Sequence, residues 1–88
     1  MAQGSNVDAV VRSVLADVLG IDAVRLASFN DDTPLFGALP ELDSMAVAGL
    51  LTEIEDRLHI VIDDDDVDGE MLASFGALVR FAERKTKG

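Results

Sequence analysis

Three places in the chain carry side chains able to do chemistry: the pair Asp43-Ser44, the single histidine His59, and the acids Asp64, Asp66 and Asp68 ahead of Gly69. A nucleophilic serine needs a base within hydrogen-bond reach and a site for the oxyanion. If one helix runs from Asp43 or Ser44 to Leu58, His59 stands about 22 Å from Ser44, too far to take its proton. A serine-hydrolase reading falls on that distance, and His59 reads as a solvent-facing residue at a helix C-terminus, where the dipole favours it. The spacing Asp64-x-Asp66-x-Asp68-Gly69 copies the opening of a calcium loop. The twelfth position, however, is Phe75 where a bidentate Glu is required. These acids read as a solvated charge run with no dedicated metal site, one that millimolar magnesium or calcium would screen and loosely bridge, raising the melting temperature. Ser44 remains. It is either a plain helix cap or a hydroxyl exposed at the positive end of a helix dipole, where a phosphate attached to it would be favoured.

The elements that would hold Ser44 follow from apolar spacing. Val7, Val10, Val11, Val14, Leu15, Val18 and Leu19 recur at steps of three and four, predicting a first helix from Ser5 that Ser5 and Asp8 cap and Gly20 stops. Residues 21–42 lose this period and collect Asn30, Asp31, Asp32, Pro34, Gly37 and Pro40, predicting a long loop. Leu26, Phe29, Leu35, Phe36, Leu39 and Leu42 are available to pack it onto the core. A second helix is predicted from Asp43 or Ser44 to about Leu58, with Val47, Leu50, Leu51, Ile54 and Leu58 as its core stripe. Met45, Ala46, Gly49, Glu53 and Asp56 would face outward. Glu53 and Arg57 form an i,i+4 pair, while Gly49 costs about 1 kcal/mol relative to Ala, as if that face had to stay small. Ile60, Val61 and Ile62 lack a partner strand and read as a packed linker. The acids from Asp63 to Asp68 have room for one short helical turn. A last helix from about Ser74 would bury Phe75, Leu78, Val79 and Ala82, with Arg84, Lys85 and Lys87 suited to its end.

Composition bounds what such a chain can do. The 88 residues make one domain, 1–88 with a core of about 5–85, too small for a large internal substrate cavity. A hydrophobic share of 49% with 5% aromatic residues points to aliphatic packing in an all-α bundle. Seventeen acidic against seven basic side chains give a net charge of -10, which repels nucleic acid and anionic membranes and attracts Lys- and Arg-rich partners. Without cysteine there is no disulfide, no thiolate zinc site and no thiol catalysis. No segment approaches a membrane span, and the N-terminus lacks a basic stretch followed by an apolar run. A soluble, cytoplasmic, monomeric chain is expected.

Taken together, Leu35-Phe36, the turn residues up to Pro40, Leu42-Asp43-Ser44-Met45, Glu53-Ile54-Glu55-Asp56-Arg57-Leu58 and Ile60 to Ile62 before the acids resemble the acyl carrier protein family. The related peptidyl and D-alanyl carriers share this pattern. The resemblance covers about residues 7–84. It implies a four-helix bundle with three main helices, one short helix and a long loop between the first two. Ser44 would receive 4'-phosphopantetheine from coenzyme A by the action of a phosphopantetheinyl transferase, which supplies base and magnesium. The arm's thiol would carry an acyl or aminoacyl group as a thioester. Ligases and acyltransferases would then do the chemistry, and the chain itself would be no enzyme. Asp43 would orient the attachment site, and Met45, Glu53, Glu55 and Asp56 would meet partners.

Two positions depart from the family's housekeeping fatty-acid pattern, which places acids two and five residues after the modified serine. Here they are Ala46 and Gly49, so the face beside Ser44 is more apolar, and a specialised pathway is expected. The Leu42-Asp43-Ser44-Met45 run is similar to D-alanyl carriers. The stretch from Leu35 to Asp66 is similar to carriers associated with exopolysaccharide and exosortase gene clusters. A different class also fits the residues: a non-covalent helical interaction module in which Ser44 only caps a helix and Met45 and Gly49 bind a partner helix.

Overall fold

The computed structural model describes residues 3–87, with side chains described for 7–86; Met1, Ala2, Gly88 and the Lys87 side chain lie outside the described residues. Four α-helices follow one another: α1 (Gln3–Leu19), α2 (Ala23–Ala27), α3 (Ser44–Leu58) and α4 (Phe75–Lys87), with a 3-10 turn at Asp64–Asp66. Among the described residues no strand forms. The only sheet-like feature there is a lone antiparallel bridge between Pro34 and Ser74.

α1 presents Val7, Val11, Val14 and Leu15 to the core as its spacing predicts. Its start differs, because Ser5 lies inside the helix rather than at its cap, and Asp8 bonds forward to Arg12 Nε at 2.7 Å. The Ser5 side chain lies outside the described residues. Gly20 ends the helix with φ 71°, and its N–H donates to the Ala16 carbonyl. That left-handed conformation carries no Cβ penalty in glycine.

The stretch predicted as loop contains α2. Asp22 accepts a hydrogen bond from the Arg25 N–H at 2.8 Å, and Ser28 closes the far end through its N–H and hydroxyl to the Arg25 carbonyl. Five residues are too few for a helical period to show in the sequence. Ile21, Leu26, Phe29, Leu35, Leu39 and Leu42 are buried, whereas Phe36, expected among them, is 50% exposed.

The rest of this connection is fastened to α4. Phe36 N and Leu35 N donate to the carbonyls of Leu72 and Ala73, and Phe75 N and Gly76 N donate to those of Thr33 and Asp31. Ser74 Oγ accepts from Ala77 N at 3.1 Å. The first N–H groups of α4, which have no partner within the helix, are therefore satisfied by the loop and by Ser74. Gly76 permits the approach, since a Cβ there would stand 2.8 Å from Asp31 backbone atoms.

Leu50 and Ile54 of α3 are fully buried, with Val47, Leu51 and Leu58 partly so, and α4 buries Phe75, Leu78, Val79, Phe81 and Ala82. Ile60 and Ile62 pack on the core as a linker while Val61 stays out. The acidic stretch forms only the 3-10 turn, fastened to α4 by Lys85 Nζ–Asp66 Oδ2 at 2.8 Å. The result is an all-α bundle with three main helices. Its short α-helix lies in the long connection rather than in the acidic run.

Candidate functional site

α3 begins because Asp43, in extended conformation at φ -102°, turns its carboxylate onto the Ala46 N–H at 2.8 Å. The first helical residue is Ser44, exposed, and its hydroxyl has no hydrogen-bond partner among the described residues. The first-turn N–H groups of a helix lack intrahelical acceptors, and the dipole places partial positive charge there. A phosphodiester on Ser44 fits this environment. Beside it opens a groove of about 270 Å³ lined by Phe36, Ser44, Val47, Val67, Gly69 and Leu72, largely apolar, with Asp68 at its edge. Such a surface suits an arm with a hydrocarbon portion.

Several ion pairs hold the elements that carry this site, and of them sequence spacing flags only Glu53–Arg57. Arg25 of α2 reaches Glu41, two residues before the cap, at 2.7 Å. This hydrogen bond draws the Glu41 carboxyl below its usual range and raises the Arg25 guanidinium. Arg57 joins α3 to α1 by bonds to Asp17 at 2.7 Å, Ser13 at 3.0 Å and Glu53 at 3.2 Å. Lys85 draws the Asp66 carboxyl down in the same way and fixes the turn that leads to the groove wall. The sequence signal for each is a lone cation with no local partner beyond i,i+4. That pattern does not identify which distant acid it meets.

The remaining predicted residues are distributed as follows. Met45 is 85% exposed beside Ser44, and Asp56 is exposed further along α3. Glu53 is turned toward α1 through Arg57, and Glu55 Oε2 accepts from the Ile62 N–H at 2.7 Å. Ala46 and Gly49, expected to face outward, instead lie toward the core and α1: Ala46 packs against the core cluster, and a Cβ on Gly49 would meet Val18 at 3.6 Å. Ala48 and Thr52 are exposed instead. The outward arc lies nearly one residue around from where the apolar pattern puts it, because α1 covers one flank of α3 more fully than the other. His59 caps the far end of α3 with φ 57° and is exposed. Asp66 and Asp68 are engaged by Lys85 and by the Met71 N–H, and among the described residues no group of three or more His, Asp or Glu side chains could hold a metal.

A small helical bundle that presents a bare serine at a helix start, with an apolar groove alongside, has the form of a protein that carries a covalent arm. Residues 9–82 match the family described as the phosphopantetheine attachment site. The chain is 35% identical over 78 residues to an acyl carrier protein of Exiguobacterium sp., covering 85% of this chain and 87% of that one. The solution structure of a holo acyl carrier protein from Nitrosomonas europaea superimposes with a TM-score of 0.82 at 34% identity, over 93% of this chain and 96% of that one. The chain belongs to the acyl carrier protein family. Its cofactor is a covalently attached 4'-phosphopantetheine; it is a carrier rather than an enzyme, acted on by a phosphopantetheinyl transferase and by acyl-handling enzymes. Among the described residues no helix is long and apolar enough to cross a membrane.

Proposed function

We propose that Ser44 is the attachment residue and that the chain carries an acyl or aminoacyl group through it in a specialised biosynthetic pathway. The observation that carries this reading is the exposed, unbonded Ser44 hydroxyl at the first position of α3, with the capping carboxylate of Asp43 already committed to Ala46 N. The hydroxyl is open to an incoming enzyme, and the helix start favours the phosphate that would result. Once attached, the group supplies a thiol that forms thioesters, chemistry the chain's own side chains lack. Asp43 holds the helix start and so the direction of the serine. Met45 and Asp56 are the residues best placed to meet partner enzymes. Glu53 and Glu55 already serve Arg57 and Ile62 and offer partners only their remaining lone pairs.

The pathway reading rests on residue type alone at Ala46 and Gly49, where the housekeeping pattern has acids, since in the fold both positions turn toward the core and α1. Lipid, exopolysaccharide-associated and polyketide-type pathways share this need for a dedicated carrier. The whole chain acts as one carrier domain, a monomer in the cytoplasm. The test is intact mass after incubation with coenzyme A, magnesium and a broad-specificity phosphopantetheinyl transferase. One phosphopantetheinyl group adds to the wild type and none to Ser44→Ala. An unmodified wild type beside an active control carrier would overturn the reading.

A further inference from the structure

Asp68-Gly69 is the only Asp-Gly step in the chain. It lies between the 3-10 turn and α4, and both residues are exposed. Neither the Gly69 N–H nor the Asp68 carbonyl has a hydrogen-bond partner among the described residues, so no backbone bond restrains the peptide group that joins them. Glycine has no Cβ to shield that nitrogen, and even a Cβ built there would meet no atom within 4 Å. The Asp68 carboxylate is held close to this stretch of backbone, because Oδ1 accepts from the Met71 N–H at 3.0 Å. Aspartates elsewhere are placed differently. Asp8 and Asp17 sit within α1, where the next N–H is bonded along the helix. Asp43 precedes a residue that has a side chain, and the N–H after Asp31 donates to Asn30 Oδ1 at 2.9 Å.

We propose that Asp68-Gly69 is a site of covalent rearrangement in the folded chain, an aspartyl-to-isoaspartyl shift through a succinimide. The Gly69 nitrogen attacks Asp68 Cγ. The N–Cγ bond forms, and the hydroxyl of the protonated carboxyl leaves with the amide proton as water. Both reacting groups lie on adjacent residues, so ring closure is intramolecular. Charge develops on the remaining carboxyl oxygen as the nitrogen adds, and the Met71 N–H already on Oδ1 stabilises it as an oxyanion donor does. Water then opens the ring at either carbonyl. Cleavage at Cγ restores Asp68. Cleavage at the main-chain carbonyl leaves the backbone running through the side-chain carbons, one methylene longer, with a free carboxylate on Cα. Only water is exchanged, and the mass is unchanged. The longer link falls where Asp68 and Gly69 line the groove beside Ser44, and it takes from the Met71 N–H its present acceptor. The inference stands whether or not Ser44 is modified.

The experiment ages the full folded chain at physiological temperature and pH. Isoaspartate is read by labelled methyl transfer from S-adenosylmethionine with an isoaspartyl O-methyltransferase, and located by peptide mapping that separates the two linkages. A free peptide of residues 63–73 gives the rate without a fold. The folded chain is expected to form isoaspartate at Asp68 at no less than about a third of the peptide's rate, since a protected peptide group would have to open first. Asp68 is expected to account for most of the methyl accepted. Gly69→Ala is expected to slow the reaction by at least about fivefold by hindering the nitrogen, and the open space at that position leaves the variant folded, which an unchanged melting temperature confirms. A folded-chain rate below about a third of the peptide's means that the fold shields the step and overturns the proposal. Methyl acceptance centred on another residue, or a smaller slowing in Gly69→Ala, overturns it as well.

Discussion

The Arg12 guanidinium of α1 lies 4.5 Å from the centroid of the Phe75 ring of α4, and the same group donates to the carbonyls of Leu26 at 2.5 Å and Phe29 at 3.0 Å. One side chain thereby joins α1, the end of α2, the connection that follows and the start of α4. Phe75 in turn meets Phe29 edge-on with ring centroids 6.0 Å apart. Arg12→Ala is expected to destabilise the fold by about 2 kcal/mol, combining the lost cation–π contact with a Phe29 carbonyl left without its donor, while the Leu26 carbonyl keeps the Phe29 N–H. Arg12→Lys recovers only part, because an ammonium cannot fork to both carbonyls while stacking on the ring. Urea denaturation of the two variants checks the order.

Two glycines should respond to the same substitution with opposite signs. Gly76→Ala forces a Cβ to within 2.8 Å of Asp31 backbone atoms and is expected to cost about 2 kcal/mol by prising the loop from α4. Gly49→Ala meets only Val18 at ordinary contact distance and is expected to gain up to about 1 kcal/mol from helix propensity. Thermal melts of both variants would show the split, and equal shifts would contradict this packing.

His59 holds a left-handed conformation at the end of α3, with φ 57° and ψ 48°. His59→Gly is expected to stabilise by about 0.5 to 1 kcal/mol, because glycine occupies that region without the Cβ clash. The readout is the urea midpoint at unchanged slope.

Asp43→Ala removes the cap at the start of α3 and is expected to cost about 1 kcal/mol. If the cap also directs Ser44, transfer of phosphopantetheine slows more than the small fraction of unfolded chain explains. Comparing transfer rates with Asp43→Asn, which keeps a capping oxygen, separates the two effects.

The Asp66–Lys85 pair predicts a pH dependence with a definite sign. The Asp66 carboxyl is drawn below its ordinary 3.8 and the Lys85 ammonium above its ordinary 10.5, each chiefly by their mutual hydrogen bond. The folded state therefore favours the charged form of both. The carboxylate's contribution is complete above its unfolded value and is lost as pH falls through the lower folded value. The ammonium's is complete below its unfolded value and is lost as pH rises through the higher folded value. Asp66→Asn should melt lower than wild type at neutral pH, with the gap closing as pH drops below about 3.8. A gap that persists under acid conditions would assign the effect to packing instead.

By itself the sequence determined the three long helices, their buried stripes and the placement of Ser44 at a helix start behind a capping Asp43. Those features are local: a period of 3.6, a cap and a glycine stop each act within a few residues. Leu50, Ile54, Phe75 and Leu78 are buried because their spacing allows no other face to be. Tertiary structure alone decided what the long connection does. α2 is too short for periodicity, and its position depends on Arg12 and on Arg25 finding Glu41, pairings across many residues that no local pattern encodes. It also decided which flank of α3 faces outward: Ala46 packs on the core, Gly49 faces Val18 of α1 and Glu53 is held toward α1 through Arg57, leaving Met45, Ala48 and Thr52 exposed. Phe36 shows the same limit, since an aromatic residue in an apolar run is expected inside. It is half exposed here because the Phe36 N–H is tied to the Leu72 carbonyl, fixing that residue at the rim of the groove beside Ser44.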